Sequence, residues 1–302
     1  MTDKNQMINI SDMTQIPELN KNLKKSHLSI NMNPNASGEL KAFLSTQMYS
    51  DVYVKHNYKV NIDLVEEDFD TYLYFIECVE KASDKIDFFI KEYEKKYPEK
   101  YEKENISKLF GDINIWNFSI CKGIMFELPF TLGNIIFIPL EYIEGTMYGN
   151  SNNLINTIIH EKIHISQREL VLTNIFVWDN YIQLNEPRWK KITNKNKVFD
   201  IINEEILNST LLEYSEQYIT NPDSFYSDFK YLLKLNENLY YGHYVYNTLS
   251  KRLEKRFFLV DIEHNRLVDI YDDEQIDTMC NIQDFEEHPY ETFAYKIAND
   301  II

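Results

Sequence analysis

Glycine and proline are scarce, at 7 and 8 of 302 residues. That excludes collagen-like and low-complexity architectures, which need both in quantity. There are only three cysteines, Cys78, Cys121 and Cys280, far apart and never in a C-x-x-C pair. Neither a disulfide framework nor a cysteine zinc knuckle can be built from them. No stretch stays apolar for the ~18 residues a membrane span needs. The opening "MTDKNQMINISDMTQ" lacks the apolar region of a secretory signal. The expectation is a soluble protein of the cytoplasm with no membrane partner. Positive charge is also short, with 31 Lys and Arg against 48 Asp and Glu, a net charge of -17. An acidic surface repels phosphate backbones, so nucleic acid is not an expected partner.

What the chain does have is apolar material: 44% hydrophobic and 14% aromatic residues, ample for a sizeable core. Residues 1 to 48 are polar and weakly periodic, and read as a mobile or disordered leader, with an arm that packs on the body as the alternative. Residues 49 to 110 read as a helical support region. Within it, Phe69, Leu73, Ile76, Val79, Ile86, Phe89, Ile90, Tyr93 and Tyr97 recur at spacings of three and four, and Pro98 closes the run. Residues 111 to 302 read as the functional domain. There "INIWNFSI", "GIMFELPF" and "NIIFIPLEYI" have the residue types of strands, with "TLGN" as a turn. A loop, "EGTMYGNSNN", leads to a helix that Asn152 or Asn153 would cap. A second helical run covers residues 198 to 219. Strand-like segments return in "FKYLLKL", "YYGHYVYN", "KRFFLVDI" and "RLVDIYD", and a last helix opens at Pro289. Strands and helices do not alternate regularly, which predicts an α+β fold with a mixed or antiparallel sheet.

One stretch carries chemistry: "LINTIIHEKIHISQRE", Leu154 to Glu169. On a helix, His160 and His164 share one face a turn apart, so both imidazoles reach one ion. Zinc takes imidazole nitrogen at about 2.0–2.1 Å. Glu161 lies roughly 100° around the helix. It misses the ion but stands near a bound water, where it can accept a proton as general base. The helix is also apolar enough to be buried, and buried polar groups need partners.

With its H-E-x-x-H core, "TIIHEKIHI" resembles the zincin metallopeptidases. The resemblance implies His160 and His164 as zinc ligands and Glu161 as the base. Two positions depart from the longer zincin pattern: Lys162 between the histidines and Ser166 just after them. The metzincin third histidine is absent, since Gln167 and Leu170 stand where that pattern has Gly and His. A third ligand must come from downstream, and Glu213 and Glu291 are the candidates. Ala294 and Ala298 share a helix face with Glu291, and small residues there let a neighbouring helix come close. "EHPYETFAYKIA" is moreover similar to the glutamate helix of gluzincins, which favours Glu291. Taken together, "FELPFTLGNIIFIP", the histidine stretch, "NPD" and "HPYETFAYKIA" are similar to zincin-like proteins of large DNA viruses, from about Trp116 onward.

The resemblance implies a zincin-like fold, a Zn2+ cofactor and a peptide or protein substrate. It also implies an edge strand that binds substrate by β-addition, with "NIIFIPLEYI" the counterpart. An oxyanion stabiliser is expected too, and His243 and Tyr290 are the residues available for it. Beside this reading stands another: a zincin fold that holds zinc and serves as a binding or structural module with little turnover. Oligomeric state is not readable from the residues.

Overall fold

The computed structural model describes residues 28–32, 35–47, 50–96, 110–169, 182, 188–191, 216–219, 221, 231–264, 266–280 and 288–301. In chain order, the first elements are β1 (Ser29–Met32), α1 (Ala36–Leu44), α2 (Ser50–Tyr53), β2 (Val54–Lys59), α3 (Leu64–Glu67) and α4 (Phe69–Lys96). Next come β3 (Ile115–Ile124), β4 (Phe130–Leu132), β5 (Ile135–Pro139), α5 (Leu140–Met147) and α6 (Ser151–Glu169). The remainder are β6 (Trp189–Lys191), β7 (Glu216–Ile219), β8 (Tyr231–Leu235), β9 (Asn238–Asn247), β10 (Arg252–Asp261), β11 (Arg266–Asp272), α7 (Asp273–Cys280) and α8 (Pro289–Ile301). The fold is α+β, with one mixed and one antiparallel sheet.

The mixed sheet has the order β1-β3-β5-β4, and β2 also pairs with β3. β1 and β5 run parallel to β3, whereas β2 is antiparallel to it and β4 antiparallel to β5. β5, "IIFIP", is apolar at every position, so both of its faces must be covered. They are. Trp116, Phe118, Ile120, Ile136 and Ile138 face a core shared with α4, α6 and α8. Cys121, Ile135 and Phe137 face a second cluster, closed by Ala36, Leu40 and Phe43 of α1.

That second cluster corrects the reading of residues 1 to 48 as a leader. From residue 28 on, the stretch supplies β1, which pairs with β3, and α1, whose apolar residues recur at i, i+4 and i+7. The run is a single short helix, too brief to stand out against its polar neighbours. Residues 1–27 lie outside the described residues.

The run expected from Phe69 is one unbroken helix, α4, but the helical support region of residues 49 to 110 also holds a strand, β2, and a short separate helix, α3. Asp63 caps α3, accepting from the Val65 N–H at 2.9 Å. Asp68 then begins α4, accepting from the Asp70 N–H at 3.1 Å and the Thr71 hydroxyl at 2.6 Å. α4 buries Phe75, Cys78, Val79, Ala82 and Ile86 against the core.

β3 runs unbroken through the boundary expected between two strands. It ends in a left-handed turn, where Met125, Phe126 and Glu127 have φ of 48°, 60° and 64°. Such backbone costs an L-residue about 1–2 kcal/mol. The "TLGN" turn joins β4 to β5, with Leu132 opposite Ile135 and Gly133 at φ 55°. After Pro139 the chain turns helical, so "LEYI" belongs to α5 rather than to the strand. β5 is consequently interior, flanked by β3 and β4, and β4 is the edge. Glu216–Ile219, expected to end a helix, are strand β7 on β9; residues 198–215 lie outside the described residues.

The antiparallel sheet has the order β11-β10-β9-β8-β6. β9 and β10 pair along most of their length, from Asn247 opposite Arg252 to Tyr240 opposite Leu259. Among the described residues, no helix is long and apolar enough to cross a membrane.

Candidate metal centre

α6 starts at Ser151, two residues earlier than the first of the expected caps, Asn152, allows. Asn150 does the capping: its side chain accepts from the Asn152 N–H at 3.0 Å, and its carbonyl from the Asn153 N–H at 3.0 Å. α6 packs against α4, α5, α8, β4 and β5. Leu154, Ile155, Ile158, Ile159 and Ile163 are all buried there. His160, Glu161 and His164 are buried with them, at 6%, 3% and 0% exposure.

α8 lies alongside α6. Its start is fixed by His288, whose Nδ1 accepts from the Tyr290 N–H at 3.2 Å. Ala294 and Ala298 are buried in the shared core, where a longer side chain would hold the helices apart. Asn156 Nδ2 of α6 donates to Asn299 Oδ1 of α8 at 2.6 Å. This approach brings Glu291 to the histidine pair.

The three donor atoms form a small triangle. His160 Nε2 and His164 Nε2 are 2.9 Å apart. Glu291 Oε2 stands 3.3 Å from the first and 3.2 Å from the second. Ligand atoms of a tetrahedral ion with bonds near 2.0–2.1 Å stand roughly 3.3–3.4 Å apart. The spacing therefore fits a small ion, and two imidazole nitrogens with one carboxylate oxygen is a donor set that zinc takes. Among the described residues, this is the one group of three or more His, Cys, Asp or Glu so placed.

Each donor is held from behind. His164 Nδ1 lies 2.7 Å from Gln167 Oε1, and donation there would leave the Nε2 lone pair for an ion when one is held. Gln167 Nε2 donates to the Tyr290 carbonyl at 3.2 Å, one residue before Glu291. A single amide thus ties the histidine helix to the glutamate helix. Asn221 Nδ2 donates to the other Glu291 oxygen, Oε1, at 3.0 Å. The His160 ring lies against Tyr295, centroids 4.2 Å apart. Burial pushes the Glu291 carboxyl upward. The charge of His164 and hydrogen bonds from both histidines outweigh that and hold it well below the usual carboxylate range.

A cleft of about 520 Å³ opens over the group, lined by His160, Glu161 and Glu291 among others. Glu161 thus reaches the same space as the donors without joining them. Lys162 points elsewhere. Its ammonium donates to the Ile115 carbonyl at 2.8 Å and sits 5.0 Å from the Trp116 ring centroid. The charge between the histidines is a clamp from α6 to the start of β3.

Two expected residues are not brought to the cleft. His243 is buried in β9 against Tyr241, Nδ1 3.1 Å from its hydroxyl. The β9 residue in the cleft lining is its neighbour, Tyr244. Successive strand residues point to opposite faces, so choosing one position too early selects the wrong side of the sheet. Tyr290 is also absent from the lining; its ring packs on His288 and Tyr231. The other third-ligand candidate, Glu213, lies outside the described residues.

Gln167 and Asn221 were missed as positioning residues. Gln167 stands three residues after His164, the i,i+3 spacing at which helical side chains meet, and that signal was available. Asn221 carried none beyond its place in "TNPD".

Comparison with protein-family models, with curated proteins and with solved structures finds no match to the chain.

Proposed function

We propose that the chain is a zinc-dependent hydrolase of zincin type, with His160, His164 and Glu291 as ligands and a peptide or protein as substrate. The observation that carries this is the convergence of three buried donors, from helices far apart in sequence, beneath a cleft that also contains Glu161. Two imidazoles and a carboxylate stacked in an apolar core are costly unless something satisfies them together.

When bound, zinc supplies a water whose pKa is drawn down toward ~7. Glu161, in the same cleft, would serve as the general base and carry a proton to the leaving amine. Gln167 and Asn221 keep His164 and Glu291 in their orientations, so no rearrangement is needed during turnover. Buried apolar residues of α6 and α8 limit water around the site and strengthen each electrostatic contact.

The test is Glu161→Gln. It should retain zinc and lose peptide cleavage by at least about a hundredfold. Cleavage at the wild-type rate in that variant rejects the mechanism. Zinc binding without cleavage in wild type and variant alike returns the protein to a binding role.

A further inference from the structure

The turn Met125–Glu127 is not required by the metal chemistry, yet three successive non-glycine residues there hold left-handed backbone. A bulky residue such as Phe126 at φ 60° is an outlier, and glycine would relieve it. Strain of this kind persists only where the surroundings hold it, and it gathers at binding sites. The surroundings do hold it. Phe126 stacks on Tyr246 of β9, centroids 5.2 Å apart and planes at 30°. Glu127 pairs with Lys55 of β2.

The turn and its continuation form a wall of the cleft through Met125, Phe126, Leu128 and Phe130. The β9–β10 hairpin adds Tyr244 and Leu253. Leu128 is 52% exposed, an apolar side chain left open on that wall. Among the described lining residues there is no Lys or Arg. An acidic side chain laid on this wall finds no cation to pair with among the described lining residues, and it loses its hydration.

We propose that the wall selects a large apolar side chain in the bound segment, with Phe126 as its specificity-determining residue, and that acidic side chains are rejected. The substrate class is therefore a peptide segment with an aromatic or long aliphatic residue beside the reacting carbonyl. This rests on the peptide-hydrolase reading for its chemistry, while the wall itself is a matter of binding. The strained backbone is kept because it presents the Phe126 ring to both Tyr246 and the cleft.

The experiment uses the zinc-loaded full chain and four matched fluorogenic peptides that carry Phe, Leu, Ala or Asp at one position. The Phe and Leu peptides should exceed Ala by about tenfold in kcat/KM, and Asp by more. Phe126→Gly suits the backbone at φ 60° and removes the whole benzyl side chain. It should bring the Phe-to-Ala ratio near one, chiefly through KM, while Phe126→Tyr keeps the ratio. Equal rates on all four peptides, or an unchanged ratio in folded Phe126→Gly, overturn the proposal. Should that variant not fold, Leu128→Ser reads the same wall from an exposed position; an unchanged ratio there overturns it. If no peptide is cleaved, the hydrolase reading fails by itself. Binding of the same four sequences as peptidyl hydroxamates to Glu161→Gln then decides: apolar preference upholds the wall, and equal binding or none overturns it.

Discussion

Gln167 touches both halves of the donor set, His164 through Oε1 and the backbone before Glu291 through Nε2. Gln167→Ala removes no ligand, yet it frees the His164 ring to turn. It should weaken zinc binding by about 10–100-fold, read by competition with a chromophoric chelator. Unchanged affinity would mean that packing alone orients the ring. Cys121 offers a separate check on the core. Burial pushes its thiol up to about 12. Thiolate is the reactive form, so iodoacetamide at pH 8 should modify Cys121 in denatured protein and spare it in native protein, by peptide mass. At this scale the histidine pair and Glu161 were readable, because helical spacing alone places them. Glu291 was readable through its small neighbours Ala294 and Ala298. His243 was chosen where Tyr244 faces the cleft, because the phase of a strand cannot be read until one of its faces is known to be buried.

Between elements, the decisive contact is α6 against α8. Ala294 is fully buried there. Ala294→Leu should overpack the contact, destabilising the fold by about 1–3 kcal/mol in a denaturant melt and lowering zinc affinity with it. Loss of stability with zinc affinity intact would show that the donors do not depend on this approach. Most strands in the second half were legible as strand-like segments, and the "TLGN" hairpin as a turn. The limits of elements were less so. "NIIFIPLEYI" is apolar throughout, and such a run does not announce where strand gives way to helix. Of the expected stripe of α4, Ile76, Val79 and Ile86 are buried, but Phe69 and Leu73 are each 42% exposed, and Phe75, Cys78 and Ala82 are buried in addition. Aromatic and apolar residues on several faces of α4 left its phase ambiguous.

For the whole molecule, the α+β class followed from the irregular order of helical and strand-like segments. Sheet order did not, because β1 joins β3 across four helices and a strand, and nothing local to either strand records the partner. The donor group shares this long-range character, since His164 and Glu291 are 127 residues apart in the chain. Zinc should therefore stabilise the entire fold. Ligand at 100 times its dissociation constant adds about 2.7 kcal/mol, so chelation should lower Tm by roughly 5 °C or more. An unchanged melt with and without chelator would contradict that linkage. The most direct measurement is zinc per chain by elemental analysis, on wild type and Glu291→Ala purified side by side. The account predicts one zinc in wild type and a small fraction of that in the variant. Zinc at full occupancy in both would remove Glu291 from the centre, and none in wild type after zinc is supplied would contradict the metal site itself.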